Sequence, residues 1–181
     1  MDSQSTHFEL LGLPQSFDVD PDLLDSHFRE LQRRVHPDRF VNASDQERRI
    51  SMQQATRINE AYQALKDPLL RGRYLLELDG RMFNDERHTT SDVEFLMEQM
   101  ELREALEEVR NADDVFAQLG SIMVRITGDI DALTAILQEH FRHGDSGSLD
   151  KAADLLTKMQ FFRRLQDEAM ELEIVLEDGS G

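Results

Sequence analysis

The sequence has no cysteine, no tryptophan and only four prolines. Each shortage excludes something. Without cysteine the chain forms no disulfide, offers no thiolate nucleophile and holds neither zinc nor an iron–sulfur cluster through sulfur. Proline and β-branched runs are scarce, whereas Glu, Leu, Gln, Arg, Met and Ala are common. These residues favour helix, so an all-α protein is expected. No apolar run approaches the length needed to cross a bilayer. The opening MDSQSTHFEL lacks the basic start and apolar centre of a signal peptide. A cytoplasmic protein with no membrane partner follows as an expectation. An excess of positive charge is missing too, with 20 Lys and Arg against 37 Asp and Glu, net −17. Phosphate binding needs a basic surface, so nucleic acid is not an expected partner.

What is present is unevenly placed. A hydrophobic share of 39% over 181 residues suits cores of limited size rather than one thick core. Residues 1–80 carry 10 basic and 14 acidic side chains, and residues 81–181 carry 10 and 23. A nearly balanced half joined to a strongly acidic one predicts two modules, 1–79 and 92–181, with the polar stretch 80–91 as a hinge.

Residues 1–6 read as a frayed polar tail. HFELLGLP is a short helical turn ended by Gly12 and Pro14. A helix then opens at Asp20-Pro21, an N-cap followed by proline at the first position. Leu24, Phe28, Leu31 and Val35 follow on one face. Pro37 ends this helix, because the residue before a proline is pushed out of the α region. The next helix opens with a Ser44–Glu47 capping box and buries Ala55, Ile58, Tyr62 and Leu65. Asp67-Pro68 breaks it, and a short helix continues to Asp79-Gly80. Two long amphipathic helices with a short connection should form an antiparallel hairpin. Three helices are expected in the acidic half. The first starts at Ser91 with Glu94 completing a capping box. The second runs from about Asp113 to His143, with Gly120 and Gly128 as weak points. The third runs from about Leu149 to Leu176, with a stripe of Leu155, Met159, Phe162, Leu165, Ala169, Leu172 and Leu176. HGDSGS is the loop before it. Short connections predict a three-helix bundle.

The triplet His36-Pro37-Asp38 admits three readings. As an acid–base pair it lacks a nucleophile and a pocket, and as a metal site it lacks a second cluster of ligands at suitable spacing. As ordinary punctuation, Pro ends a helix and Asp caps a turn. The surroundings add a third reading. The preceding helix exposes Arg29, Arg33 and Arg34, with Arg39 just beyond, and Arg29 and Arg33 lie one turn apart. A rigid turn beside a basic face suits docking to an acidic protein surface.

FELLGLP, the basic second helix, His-Pro-Asp and INEAYQALKDP, in that order, resemble the J-domain over residues 7 to about 79. The resemblance implies docking on a DnaK-type ATP-dependent chaperone and stimulation of its ATP hydrolysis. His36, Pro37, Asp38, Arg29, Arg33, Arg34 and Arg39 would form the contact.

In the acidic half, residues 93–109 carry two apolar stripes at about 100° per residue. Phe95, Leu102, Leu106 and Val109 gather on one side. Val93, Leu96, Met97 and Met100 gather nearly opposite, beside Glu101, Glu104 and Glu108. One stripe is enough for a surface helix. The second means either burial against the other module or an adaptable protein-binding patch. FLMEQMELREALEE, following RGRYLLELDG, resembles the iron–sulfur-assembly co-chaperone family HscB, and with the J-domain the likeness spans nearly the whole chain. It implies a C-terminal bundle that delivers an IscU-like scaffold to an HscA-like chaperone; no catalytic activity, no cofactor and no bound metal are expected, since no such site assembles in the sequence. By motif match Leu96, Met97, Met100, Glu101, Glu104, Glu108 and Phe161 would contact the scaffold. By spacing Phe161 lies on the flank of its helix, where core packing is the alternative, and Phe162 is the stronger core residue. The cysteine-bound modules of other J-proteins are absent, which points to a bacterial-type member.

The competing reading is an acidic all-helical scaffold that binds one protein and no chaperone. GDSGS lacks the β-barrel, histidine and aspartate that a serine protease needs around such a loop. His140 and His143 lie one turn apart as metal ligands might, although histidines in a last helical turn are favoured by the dipole in any case.

Overall fold

The computed structural model describes residues 5–40, 43–81 and 92–179. Every regular element among them is helical. The chain divides into two compact units between Arg81 and Met82.

In the N-terminal unit, α1 (His7–Leu10) opens on a capping box that the sequence reading missed. The Thr6 hydroxyl accepts from Glu9 N–H, and the Glu9 carboxylate accepts from Thr6 N–H. Arg57 Nη2 donates to the Ser5 carbonyl at 2.7 Å. The tail expected to fray over 1–6 is therefore held at Ser5 and Thr6, because their backbone groups find partners; residues 1–4 lie outside those described.

α2 (Pro21–Val35) begins as its residues dictate. Asp20 Oδ1 accepts from the N–H groups of Asp22 and Leu23, and Pro21 occupies the first position. It stops at Val35. α3 (Asp45–Lys66) carries the expected Ser44–Glu47 box, and α4 (Pro68–Leu78) starts at Asp67, which ends one helix and caps the next. Bonded pairs run in opposite order along α2 and α3: Asp25 with Tyr62, Gln32 with Asn59, Val35 with Ser51. The two helices form the antiparallel hairpin. Phe8, Leu11, Leu24, Ile58, Leu65 and Leu76 are fully buried beneath it, each contributing about 1.5–3 kcal/mol relative to exposure. α1 is tied to α4 where His7 N–H donates to Tyr74 Oη at 2.9 Å and the two rings stack.

The C-terminal unit holds α5 (Val93–Glu108), α6 (Val115–His143) and α7 (Ser146–Gly179). Its boundaries differ from the expected ones in three places. Asp92, not Ser91, caps α5: its side chain accepts from Phe95 N–H, and Ser91 lies outside the described residues. α6 starts at Val115, capped by Asp114 through Ala117 N–H, and runs unbroken through both glycines. HGDSGS is not a six-residue loop. Gly144 closes α6 in the left-handed region (φ 68°), and Asp145 at once accepts from Ser148 N–H and Ser148 hydroxyl. α7 therefore begins at Ser146, and its buried stripe runs Leu149, Ala152, Leu156, Met159, Phe162, Leu165, Ala169. Leu156 is the buried leucine; Leu155 is only partly covered. The hinge expected at 80–91 falls outside the described residues except for Gly80 and Arg81.

The core of this unit gathers Phe95, Leu102, Leu106 and Val109 of the α5 segment with Leu119, Ile122, Ile126 and Ile130 of α6 and Phe162, Leu165 and Ala169 of α7. This is the three-helix bundle. Lys158 Nζ reaches Asp92 Oδ2 at 2.5 Å and lies over the Phe95 ring, fastening the start of α5 to α7.

Candidate functional sites at a helix end and on a helix flank

The first candidate site is the turn that follows α2. His36 leaves the helix in an extended conformation (ψ 133°), as a residue before proline must. Pro37–Phe40 then form a single 3₁₀ turn rather than an irregular loop. Arg39 N–H donates to the His36 carbonyl at 3.0 Å. Asp38 N–H donates to His36 Nδ1 at 3.3 Å. The Asp38 carboxylate lies 3.5 Å from the same nitrogen. Both triplet side chains remain exposed, so their geometry is fixed by backbone while their outer atoms face solvent.

Two buried polar residues of this unit were not singled out by sequence reasoning, and only the first lies behind the turn. The Ser51 hydroxyl, buried between α2 and α3, donates to the Val35 carbonyl at 2.8 Å. It satisfies an orphan acceptor one residue before His36 and fixes where the turn begins. Arg71 is buried on α4, donates to the Leu65 carbonyl at 2.8 Å and lies over the Phe17 ring. Burial lowers its guanidinium pKa, against opposing charges from Asp67 and Asp18. A small serine within a polar stretch and one arginine among several carry no periodic signal of burial.

The arginines on α2 are exposed but not equivalent. Arg29 Nε donates to the Asp25 carbonyl at 3.1 Å, one turn back. Arg34 pairs with Glu30 at 2.5 Å across one turn, an arrangement that contributes only a few tenths of a kcal/mol. Arg33 and Arg39 are exposed beside the turn. His36, Pro37, Asp38 and Arg39 thus share one turn, and Arg29 and Arg33 lie on the helix leading to it.

The second candidate site is the outer flank of α5. The two stripes part as their spacing requires. Phe95, Leu102, Leu106 and Val109 are buried, whereas Val93, Leu96, Met97 and Met100 are 67, 41, 59 and 72% exposed. Glu101, Glu104 and Glu108 are exposed along the same flank. Phe161 comes from α7, is partly exposed, and meets Phe95 edge-on at 5.7 Å; it also touches the core cluster. Its flank position combines the core contact its spacing allowed with an outward part. One neighbour went unnoticed in the sequence. Arg125 of α6 reaches Glu98 at 3.2 Å and Glu101 at 3.9 Å, so one carboxylate of the flank is braced from another helix.

Close by, Asp92, Glu94, Glu98, Asp129, Lys158, Phe95, Leu133, Ile136 and Phe162 line an open groove. Burial, then the neighbouring Glu98 charge, push the Asp129 carboxyl above its ordinary range, with Arg125 opposing. Hydrogen bonds from Lys158 and from Phe95 N–H hold Asp92 below it. His140 and His143 sit in the last turn of α6, and among the described residues no group of three or more His, Asp or Glu is placed to hold a metal ion. Among the described residues, no helix is long and apolar enough to cross a membrane.

Comparison with known proteins finds matches for both halves of the chain. Residues 6–74 match the family model of the DnaJ domain, and residues 91–170 match that of the HSCB C-terminal oligomerisation domain. The co-chaperone protein HscB homolog of Vibrio vulnificus (strain CMCP6) is 41% identical over 162 residues, covering 90% of this chain and 93% of that relative. The solved chaperone HscB from Vibrio cholerae superposes with a TM-score of 0.81 at 42% identity, covering 95% of this chain and 99% of that one. The human co-chaperone protein HscB superposes with a TM-score of 0.84 at 32% identity, covering 96% and 85%. Two domain models in the expected order, and relatives matched along almost their full length, place this chain in the HscB family of co-chaperones.

Proposed function

We propose that residues 1–79 act as the J-domain, 80–91 as the linker and 92–181 as the scaffold-binding bundle of a cytoplasmic co-chaperone with no catalysis of its own. The turn at His36, Pro37 and Asp38, with Arg29, Arg33, Arg34 and Arg39, docks on an HscA-like, DnaK-type chaperone and stimulates its ATP hydrolysis. The flank formed by Leu96, Met97, Met100, Glu101, Glu104, Glu108 and Phe161 carries an IscU-like iron–sulfur scaffold to that chaperone for cluster transfer. Family membership and the DnaJ match at residues 6–74 support the first half. The observation that carries the second half is the exposure of a complete apolar stripe on a helix whose opposite stripe already fills the core. Solvent contact with that much contiguous apolar surface is unfavourable unless a partner covers it.

The experiment is steady-state ATP hydrolysis by a purified DnaK-type chaperone with this chain added, beside calorimetric titration of an IscU-type scaffold. Stimulation together with scaffold binding is expected. Scaffold binding without stimulation would return the chain to the class of acidic helical binding proteins.

A further inference from the structure

The exposed flank of α5 has a chemical property that its docking role does not require. Two of its apolar side chains are thioethers, Met97 and Met100, three residues apart on one face and well exposed. The chain has no cysteine, so no thiol competes as the site of two-electron oxidation. By contrast Met159, buried in α7, is wholly covered. We propose that Met97 and Met100 form a modification site at which hydrogen peroxide, by converting the thioethers to sulfoxides, reversibly switches off scaffold docking.

In the step, a sulfur lone pair attacks one oxygen of peroxide. The S–O bond forms as the O–O bond breaks. Sulfur loses two electrons, the peroxide oxygens gain them, and the departing hydroxide takes the remaining peroxide proton to leave as water. The surroundings suit this oxidant. Glu101, Glu104 and Glu108 share the flank and are exposed; they repel anionic oxidants but not a neutral one. Neither sulfur depends on a nearby group for its reactivity, so access decides the rate, and access is what separates these two residues from Met159.

The consequence follows from where the residues sit. A sulfoxide is polar and chiral where the methionine was apolar and adaptable. On a free surface the change is harmless, because water hydrates the new oxygen. Under a docked apolar partner that oxygen must find a donor or lose its hydration. Oxidation therefore leaves the bundle folded and weakens only the complex. Reduction by methionine sulfoxide reductase, with an added dithiol supplying the two electrons and two protons and the oxygen leaving as water, restores the starting state.

This inference rests on α5 being the scaffold surface, and its test separates the two ideas. The native chain is titrated with a purified IscU-type scaffold before peroxide treatment, after it, and after repair with methionine sulfoxide reductase. Peptide mass mapping reports oxygen uptake at each methionine, and thermal melting reports the fold. The expected result is uptake at Met97 and Met100 but not at Met159, unchanged melting, affinity weakened about tenfold or more, and recovery on repair. A Met97→Leu, Met100→Leu chain, compared with its own untreated affinity, should show no further loss on treatment although Met52 and Met170 remain exposed to oxidant. Absence of scaffold binding by the untreated native chain would sink the docking assignment. Firm binding that survives full oxidation of both residues, or an equal loss in the leucine variant, would sink the switch alone.

Discussion

The N-terminal unit offers polar groups at the end of a helix, and the C-terminal unit offers apolar groups along the side of one. The first surface is small and held by backbone: a proline, a 3₁₀ turn, and the Ser51 bond behind it. It presents few rotatable bonds and suits a contact whose geometry matters. The second is broad and held only by the packing of the stripe behind it. Leucine and methionine side chains there can repack against a partner. On the proposed assignment, chaperone docking and scaffold binding rest on different physics, and the sharpest tests exploit the difference.

The largest effects are expected inside α5. Leu102→Ala with Leu106→Ala removes two buried side chains, at roughly 2–5 kcal/mol each. A unit with a total stability of about 5–15 kcal/mol does not comfortably survive that loss. Leu96→Ala, Met97→Ala and Met100→Ala together should leave denaturant unfolding almost where it was, since exposed changes each stay within about 0.5 kcal/mol. The same triple change should abolish measurable scaffold binding, because apolar anchors carry most interface energy. Equal destabilisation by the outer and inner sets would mean the outer stripe is core, and the contrast between the units would collapse.

The helix-end surface predicts a purer loss. His36→Gln should remove stimulation of the chaperone's ATPase while melting and scaffold affinity stay unchanged, since the side chain is exposed and its turn is held by backbone bonds. Retained stimulation in a folded variant would detach the triplet from chaperone docking.

How far each surface could be read beforehand follows the same division. The turn was legible because it is local: a proline fixes its own neighbours, and caps such as Asp20 and Ser44 act within three residues. The two faces of α5 were legible because helical period separates them. What failed was phase and partnership. Leu155 and Leu156 are adjacent, and without the true start of α7 the stripe could be drawn through either. That start was hidden by two glycines and two serines that resemble a loop, until Asp145 caps the turn they form. Ser51, Arg71 and Arg125 act across elements, on the Val35 and Leu65 carbonyls and on Glu98 and Glu101. Spacing along one helix carries no record of such contacts.

Charge supplies a smaller contrast within the docking surfaces. Arg29→Ala with Arg33→Ala should slow association with the chaperone several-fold at low salt, with the deficit shrinking as ionic strength rises, because steering of exposed charges is screened over about 10 Å at 0.1 M salt. Scaffold association with the acidic flank should be untouched. A deficit that ignores salt would assign the arginines to packing through their stems instead.

The smallest expected effect concerns how the acidic unit tolerates its own charge. Asp129 and Asp92 flank the same groove with opposite perturbations. The Asp129 carboxyl is raised, chiefly by burial and then by Glu98, and its Oδ2 is covered with no hydrogen-bond partner. A raised carboxyl disfavours the ionised form in the folded state, so its penalty appears as pH rises past the unfolded value and persists above the folded one. Asp92 is lowered, chiefly by the Lys158 hydrogen bond and then by Phe95 N–H. Its contribution is present above the unfolded value and is lost as pH falls through the folded one. Asp129→Asn should therefore raise the melting temperature slightly at pH 7, and Asp92→Asn should lower it slightly, with asparagine still able to cap α5. Both differences should shrink in acid, where the native carboxylates are themselves neutral. Melting curves of the two variants across that range check the signs. Two shifts in the same direction at pH 7 would mean that the bundle responds only to its net charge, and that the local placement of Lys158 and Arg125 does nothing to shape it.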